Sequence, residues 1–138
     1  MLIAIEDYAG LYIHSPDFTA ERITNAGDLL HRWDLLTQAM QADGVKLHIN
    51  PDTGTYVSGQ GHGGFRNQDC KIGAVHSQHK EGNALDWYDP NNDMDIWCIH
   101  NEALMNKLGL WFEVSYKTPG WCHGQRVPPG SEARFFVP

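Results

Sequence analysis

The longest patterned run lies between Asn25 and Asp43. Ala26, Leu29, Leu30, Trp33, Leu36 and Met40 recur at three- and four-residue spacing, as one buried face of an α-helix requires. Thr24 or Asn25 is suited to cap its start and Gly44 to stop it. The period then changes. Val45, Leu47 and Ile49 alternate with Lys46, His48 and Asn50, which predicts a half-buried strand. The turn PDTG at 51–54 leads to a second short strand, TYVS at 55–58. A further helix is expected from about Asp93 to Leu108, with Ile96, Ile99, Ala103, Leu104 and Leu108 inward and Gly109 at its end. LWFEV (110–114) and GWCHGQ (120–125) read as strands, and RFFVP (134–138) as an edge strand or a segment lying across the sheet.

Residues 59–76, GQGHGGFRNQDCKIGAVH, carry no period and many glycines. An irregular loop of that length inside a compact domain is usually functional or mobile. There is no repeat, and no linker divides the chain, so residues 1–138 are expected to form one domain. Its class is α+β: a small, mainly antiparallel sheet with helices packed on one side.

Composition narrows the function. Hydrophobic residues make up 41%, enough for a packed core. The formal charge of −7 argues against nucleic acid as the main partner and against adhesion to an anionic membrane. No apolar run approaches the length of a membrane span. The opening MLIAIEDY has no basic region, so no signal peptide is expected. Cys70, Cys98 and Cys122 are odd in number and lack CxxC spacing. They fit a chain made in a reducing compartment, with the thiols as small buried hydrophobes.

The chemistry concentrates in SQHKEGNALDW, residues 77–87. With Gly82-Asn83 as a two-residue hairpin turn, Glu81 would pair with Ala84, Lys80 with Leu85 and His79 with Asp86. Directly opposed residues share a face, so an imidazole and a carboxylate would converge. That mixture suits a divalent cation, zinc best, and zinc needs a third protein ligand. His123 is the best candidate: in GWCHGQ, alternation puts Trp121, His123 and Gln125 on one face and Cys122 on the other. Three ligands leave a position for water, the pattern of a catalytic site. DPNNDMD (89–95) only superficially resembles a calcium loop, since Met94 stands where glycine is needed and His100 where the bidentate glutamate belongs. Capping and charge at a helix N-terminus explain it better. No GxSxG elbow is present.

Ser77-x-His79-x-x-Gly82-x-Ala84-x-Asp86, followed downstream by Trp121-x-His123, resembles the zinc D-Ala-D-Ala carboxypeptidase family. That family includes the phage L-alanyl-D-glutamate endolysins and the D-Ala-D-Ala dipeptidases, and shares its fold with the hedgehog signalling domain. The GGFR stretch ending in Arg66 is similar to the family's Ser-Gly-Tyr-Arg segment, and the resemblance spans about residues 25 to 125. It implies His79, Asp86 and His123 as ligands of one zinc ion. It implies Arg66 as holder of the substrate carbonyl or carboxylate and as an oxyanion stabiliser. Ser77 and Trp121 would contact substrate, with Trp87 and Trp121 walling the site. The sequence departs from the family at Gly120, where an acidic residue is usual. Glu113 is the nearest carboxylate before His123, on the opposite side of its strand from Leu110, Phe112 and Val114, and is the expected acid/base. His62 and His76 are weaker candidates for moving a proton.

The expected function is a monomeric zinc peptidase that cuts peptidoglycan stem peptides, of the endolysin or virion-associated lysin type. It would be made in the host cytoplasm and act on the wall after release. The alternatives are a zinc-stabilised wall-binding or structural module that has lost the chemistry, and a dipeptidase of free D-Ala-D-Ala.

Overall fold

The computed structural model describes residues 1–138 throughout. The helical period builds a 23-residue helix, α2 (Ala20–Ala42), which buries Ala26, Leu29, Leu30, Trp33, Leu36 and Met40. It begins five residues before the expected start. Thr19 is the cap, accepting from the Arg22 N–H at 3.4 Å, while the Thr24 hydroxyl donates to the Ala20 carbonyl inside the helix. The first turn is largely exposed and leaves no trace in a hydrophobic period. The stop is as expected: Gly44 lies at φ 87°, and the Val45 N–H returns to the Met40 carbonyl. Ahead of α2 runs a short helix that the pattern does not announce, α1 (Ile5–Ala9). Its Tyr8 is buried and donates its hydroxyl to the Ala84 carbonyl at 2.9 Å.

Four strands form one mixed sheet: β1 (Ala84–Tyr88), β2 (Trp111–Glu113), β3 (Trp121–Gln125) and β4 (Phe135–Phe136), in the order β1-β3-β2-β4. β3 is antiparallel to both neighbours, and β4 adds to β2 in parallel. The α+β class and the tail as an edge strand are therefore observed. Alternation sends Leu85, Trp87, Phe112 and Cys122 into the core with Trp33 of α2. Trp33 stacks on Trp87 at 5.3 Å and meets Phe112 edge-on. A Cβ on Gly124 would stand 2.6 Å from Trp33 and 2.7 Å from Phe112, so glycine permits this close helix–sheet contact. The opposite face carries Asp86, Glu113, His123 and Gln125.

Several expectations are corrected. Residues 45–58 form no ladder; the only bridges are Asn50 to Thr55 and Val57 to Trp87. Residues 56–58 still flank β1: Tyr88 N–H reaches the Tyr56 carbonyl and Ser58 N–H the Asp86 carbonyl. Gly82-Asn83 is not a hairpin. Residues Gln78–Glu81 form a 3₁₀ turn capped by Ser77, and Gly82 closes it at φ 75°. The helix expected at 93–108 is two, α3 (Asp93–Ile99) and α4 (Glu102–Leu108). Asn101 interrupts it at φ −130° and donates its side chain to the Trp97 carbonyl. The break turns the faces, so Met94, Cys98 and Met105 are buried while Ile96 and Ile99 lie about half exposed at 49% and 46%.

The acidic start of α3 behaves as a cap. The Asp89 carboxylate accepts from the Met94 and Asp95 N–H groups at 3.1 and 3.2 Å. Asp95 accepts from the Thr118 hydroxyl at 2.9 Å and from the Asn92 amide at 2.8 Å. Burial pushes Asp89 up to about 6. Between about pH 4 and that value, the folded chain holds a proton the unfolded chain has lost. Stability therefore falls as pH rises through that window, and the ionised group is destabilising above it. Asp89→Asn keeps an acceptor for Met94. It is expected to flatten this slope and raise stability at pH 7 by roughly 1–2 kcal/mol. Urea unfolding of both proteins at acid and neutral pH checks this; parallel pH profiles would refute it.

Candidate metal centre

Strand register builds the site. Asp86 on β1 lies opposite His123 on β3. β2 pairs Trp111 with Gln125 and Phe112 with Gly124, so its next residue, Glu113, comes beside His123 from the other side. Asp86, His123 and Glu113 thus form a row across three strands, on the face turned away from α2. His79 comes from the 3₁₀ turn immediately before β1. It does converge with Asp86, but through that turn rather than through cross-strand pairing.

The distances are short. His123 Nδ1 lies 2.8 Å and His79 Nε2 3.4 Å from Asp86 Oδ1. All three side chains are buried, and their ligand atoms lie within 4.8 Å of one another, a group that can hold a metal ion. The outer contacts decide which nitrogen faces inward. His79 Nδ1 sits 2.8 Å from the Gly64 carbonyl, which only accepts, so Nδ1 carries the hydrogen. His123 Nε2 sits 2.9 Å from Gln125 Oε1, while Gln125 Nε2 donates to the Val127 carbonyl at 3.0 Å. His79 Nε2 and His123 Nδ1 are then left as lone pairs, both facing a carboxylate oxygen. Three lone pairs cannot meet stably without positive charge between them, either a proton or a cation. Ring nitrogens oriented by outer hydrogen bonds in this way are the rule for metal-binding histidines.

The electrostatics agree. Burial alone would raise the Asp86 carboxyl, but the two imidazoles against it, His79 and His123, outweigh burial and hold it well below the usual carboxylate range. Burial lowers His79, against the pull of Asp86. Burial would lower His123 too, but the hydrogen bond and charge of Asp86, with the charge of Glu113, push it up to about 9. Burial raises Glu113, and the charge of His123 offsets part of this. Its Oε1 stands 3.8 Å from His123 Nε2.

The other residues singled out in the sequence sort clearly. Arg66 is buried and donates from Nε to the His62 carbonyl at 2.6 Å, from Nη1 to the Ile72 carbonyl at 3.3 Å and from Nη2 to Asp86 Oδ2 at 3.4 Å. The GGFR segment earns its glycines by threading tightly: a Cβ on Gly63 would strike the Ser58 carbonyl and one on Gly64 the Tyr8 carbonyl. Ser77 accepts from the His79 N–H at 3.2 Å, fixing the turn that presents the ring. Trp121 is half-buried and lines the site. Trp87 is corrected: it stacks in the core and does not wall the site. His62 bonds Tyr12 through Nδ1 at 3.1 Å, and His76 is exposed. Gly120, at φ 94°, donates its N–H to Asn92. Side chains rarely adopt that conformation, which accounts for glycine where an acid was expected. Sequence reasoning missed the role of Gln125. Its only signal was its place two residues beyond His123 on the same strand face.

A cavity of about 380 Å³ lies over the group, lined among others by Arg66, Ser77, Glu113, Trp121 and Gln125. A depression of about 310 Å³ adjoins it across Arg66, Asp86 and Trp121 and is walled by Ser58, Gln60 and His62. A third cavity, against α1 and walled by Glu6, Asp7 and Asp52, contains none of the group's side chains. No helix is long and apolar enough to cross a membrane. Comparison with protein-family models, with curated proteins and with solved structures yields no match.

In the metal-free chain at neutral pH, His123 therefore holds the proton that a cation would displace. Binding is expected to release about one proton per ion, and affinity to rise with pH until His123 titrates near 9. Calorimetry in buffers of different ionisation enthalpy measures the proton count. Affinity that does not change with pH would contradict it.

Proposed function

We propose that this chain is a zinc-dependent peptidase acting on peptide bonds in peptidoglycan stem peptides. The observation that carries the reading is the convergence of one nitrogen each from His79 and His123 with a carboxylate oxygen of Asp86 on the floor of an open groove, with Glu113 3.8 Å from the outer nitrogen of His123. Two nitrogens and an oxygen suit zinc, and three protein ligands leave a coordination position open. Held by His79, Asp86 and His123, the ion would supply Lewis acidity, lowering the pKa of water towards ~7 and polarising the scissile carbonyl.

The chain's own residues account for the rest. Glu113 is half-buried with its carboxyl raised by burial. A carboxyl so placed can take a proton from the attacking water and deliver it to the leaving amine. Arg66 has five N–H donors and commits three to His62, Ile72 and Asp86. The remaining two are available to a substrate carbonyl and to the developing oxyanion. Trp121 offers an apolar wall to the peptide. The two depressions share Arg66, Asp86 and Trp121, so together they offer a peptide more length than either alone. That shape favours cleavage inside a longer peptide over a dipeptidase, which needs a closed pocket for both ends of its substrate. A carboxylate near His123, from Glu113 although Gly120 carries none, favours an enzyme over a binding module.

Digestion of purified peptidoglycan tests this. The zinc-loaded protein is expected to release new amino groups, with the cleaved bond identified by mass spectrometry, and a chelator should stop it. Glu113→Gln should keep its metal and lose on the order of 10²–10⁴-fold in rate. His123→Ala should lose both metal and activity. Wall binding without release by the fully metallated protein would establish a binding module instead.

A further inference from the structure

We infer that Gln125 is a positioning residue: it sets the tautomer of His123 and so keeps the Nδ1 lone pair turned towards Asp86 and His79. The inference bears on the metal reading but rests on hydrogen bonding that stands without it. Gln125 is buried on β3, on the same face as His123. An amide side chain can present either end to a neighbour, and here the backbone chooses. Val127 offers a carbonyl, an acceptor only, so Gln125 turns its NH₂ there at 3.0 Å and its oxygen to His123 Nε2 at 2.9 Å. The ring must then carry hydrogen on Nε2.

The alternative is physically sound, which is why something must suppress it. Were the Gln125 amide reversed, Nε2 would accept and Nδ1–H would donate to Asp86 Oδ1, 2.8 Å away. That pair would be a self-contained histidine–carboxylate dyad with no lone pair for a cation. Reversal would also bring the amide oxygen against the Val127 carbonyl oxygen at 3.0 Å, replacing a hydrogen bond with repulsion. Glu113 does not do the same work, because its 3.8 Å separation from Nε2 is beyond hydrogen-bond length.

Two substitutions and two readouts test this. Gln125→Leu removes the acceptor while roughly keeping volume; Gln125→Glu restores an acceptor to the same ring nitrogen. In ¹⁵N spectra of the metal-free protein, at alkaline pH where the ring is neutral, His123 should carry hydrogen on Nε2 in the wild type and on Nδ1 in Gln125→Leu. Zinc affinity, measured by competition with a chromogenic chelator, should fall about 10–100-fold in Gln125→Leu and recover in Gln125→Glu. A merely structural role predicts the reverse order for the second variant, since a buried charge disturbs packing more than leucine does. An Nδ1–H tautomer in the wild type, or equal affinity in wild type and Gln125→Leu, overturns the assignment. If the wild type binds no zinc, the metal reading fails while the spectra still decide the role of Gln125.

Discussion

The meeting of His79 and His123 on a single carboxylate oxygen of Asp86 is the constraint around which the rest is arranged. Burying a carboxylate is costly unless its charge is answered. Asp86 is buried at 8% exposure, and two imidazoles and Arg66 Nη2 answer it. Each of these partners is tethered in turn. Gly64 holds His79, Gln125 holds His123, and the His62 and Ile72 carbonyls hold Arg66. The group is thus preorganised by oxygen acceptors on its outer side.

That network explains features of the fold that look unrelated. The glycines of the 61–64 stretch let the loop pass close enough for the Gly64 carbonyl to reach His79, while Gly63 also pairs with the Asp86 N–H at 2.7 Å. Tyr8 of α1 accepts from the Phe65 N–H and donates to the Ala84 carbonyl, tying both sides of the site together. On the far face of the sheet, Gly124 admits Trp33 and Phe112, so β3 lies flat under α2 with His123 and Gln125 turned outward. A helix-facing core and an open polar face are two sides of one alternation.

The proposed chemistry follows from the same asymmetry. Oriented donors, a half-buried carboxyl beside them and an open groove are what metal-assisted hydrolysis requires of a protein. The resemblance to zinc peptidases of the bacterial wall rests on short motifs. The independent support is geometric, from hydrogen-bond partners and strand register.

The sequence by itself determined the parts governed by local period. The α2 face and its glycine stop, the alternation of β3 and the outward turn of Glu113 depend on nearest neighbours along the chain, and they are found as read. It also marked His79, Asp86 and His123, because few residue types can hold a cation. Only tertiary structure decided the remainder. The 45–49 alternation found no partner strand, Asn101 divided a helix that periodicity ran straight through, and Trp87 went to the core because its strand face belongs to α2. A 3₁₀ turn, not a hairpin, brought His79 inward, since Gly82 suits either. The locks on the two rings, a glycine carbonyl and a glutamine amide, carry no signature of their own. Hydrogen-bond partners distant in sequence are chosen by packing, which no local pattern records.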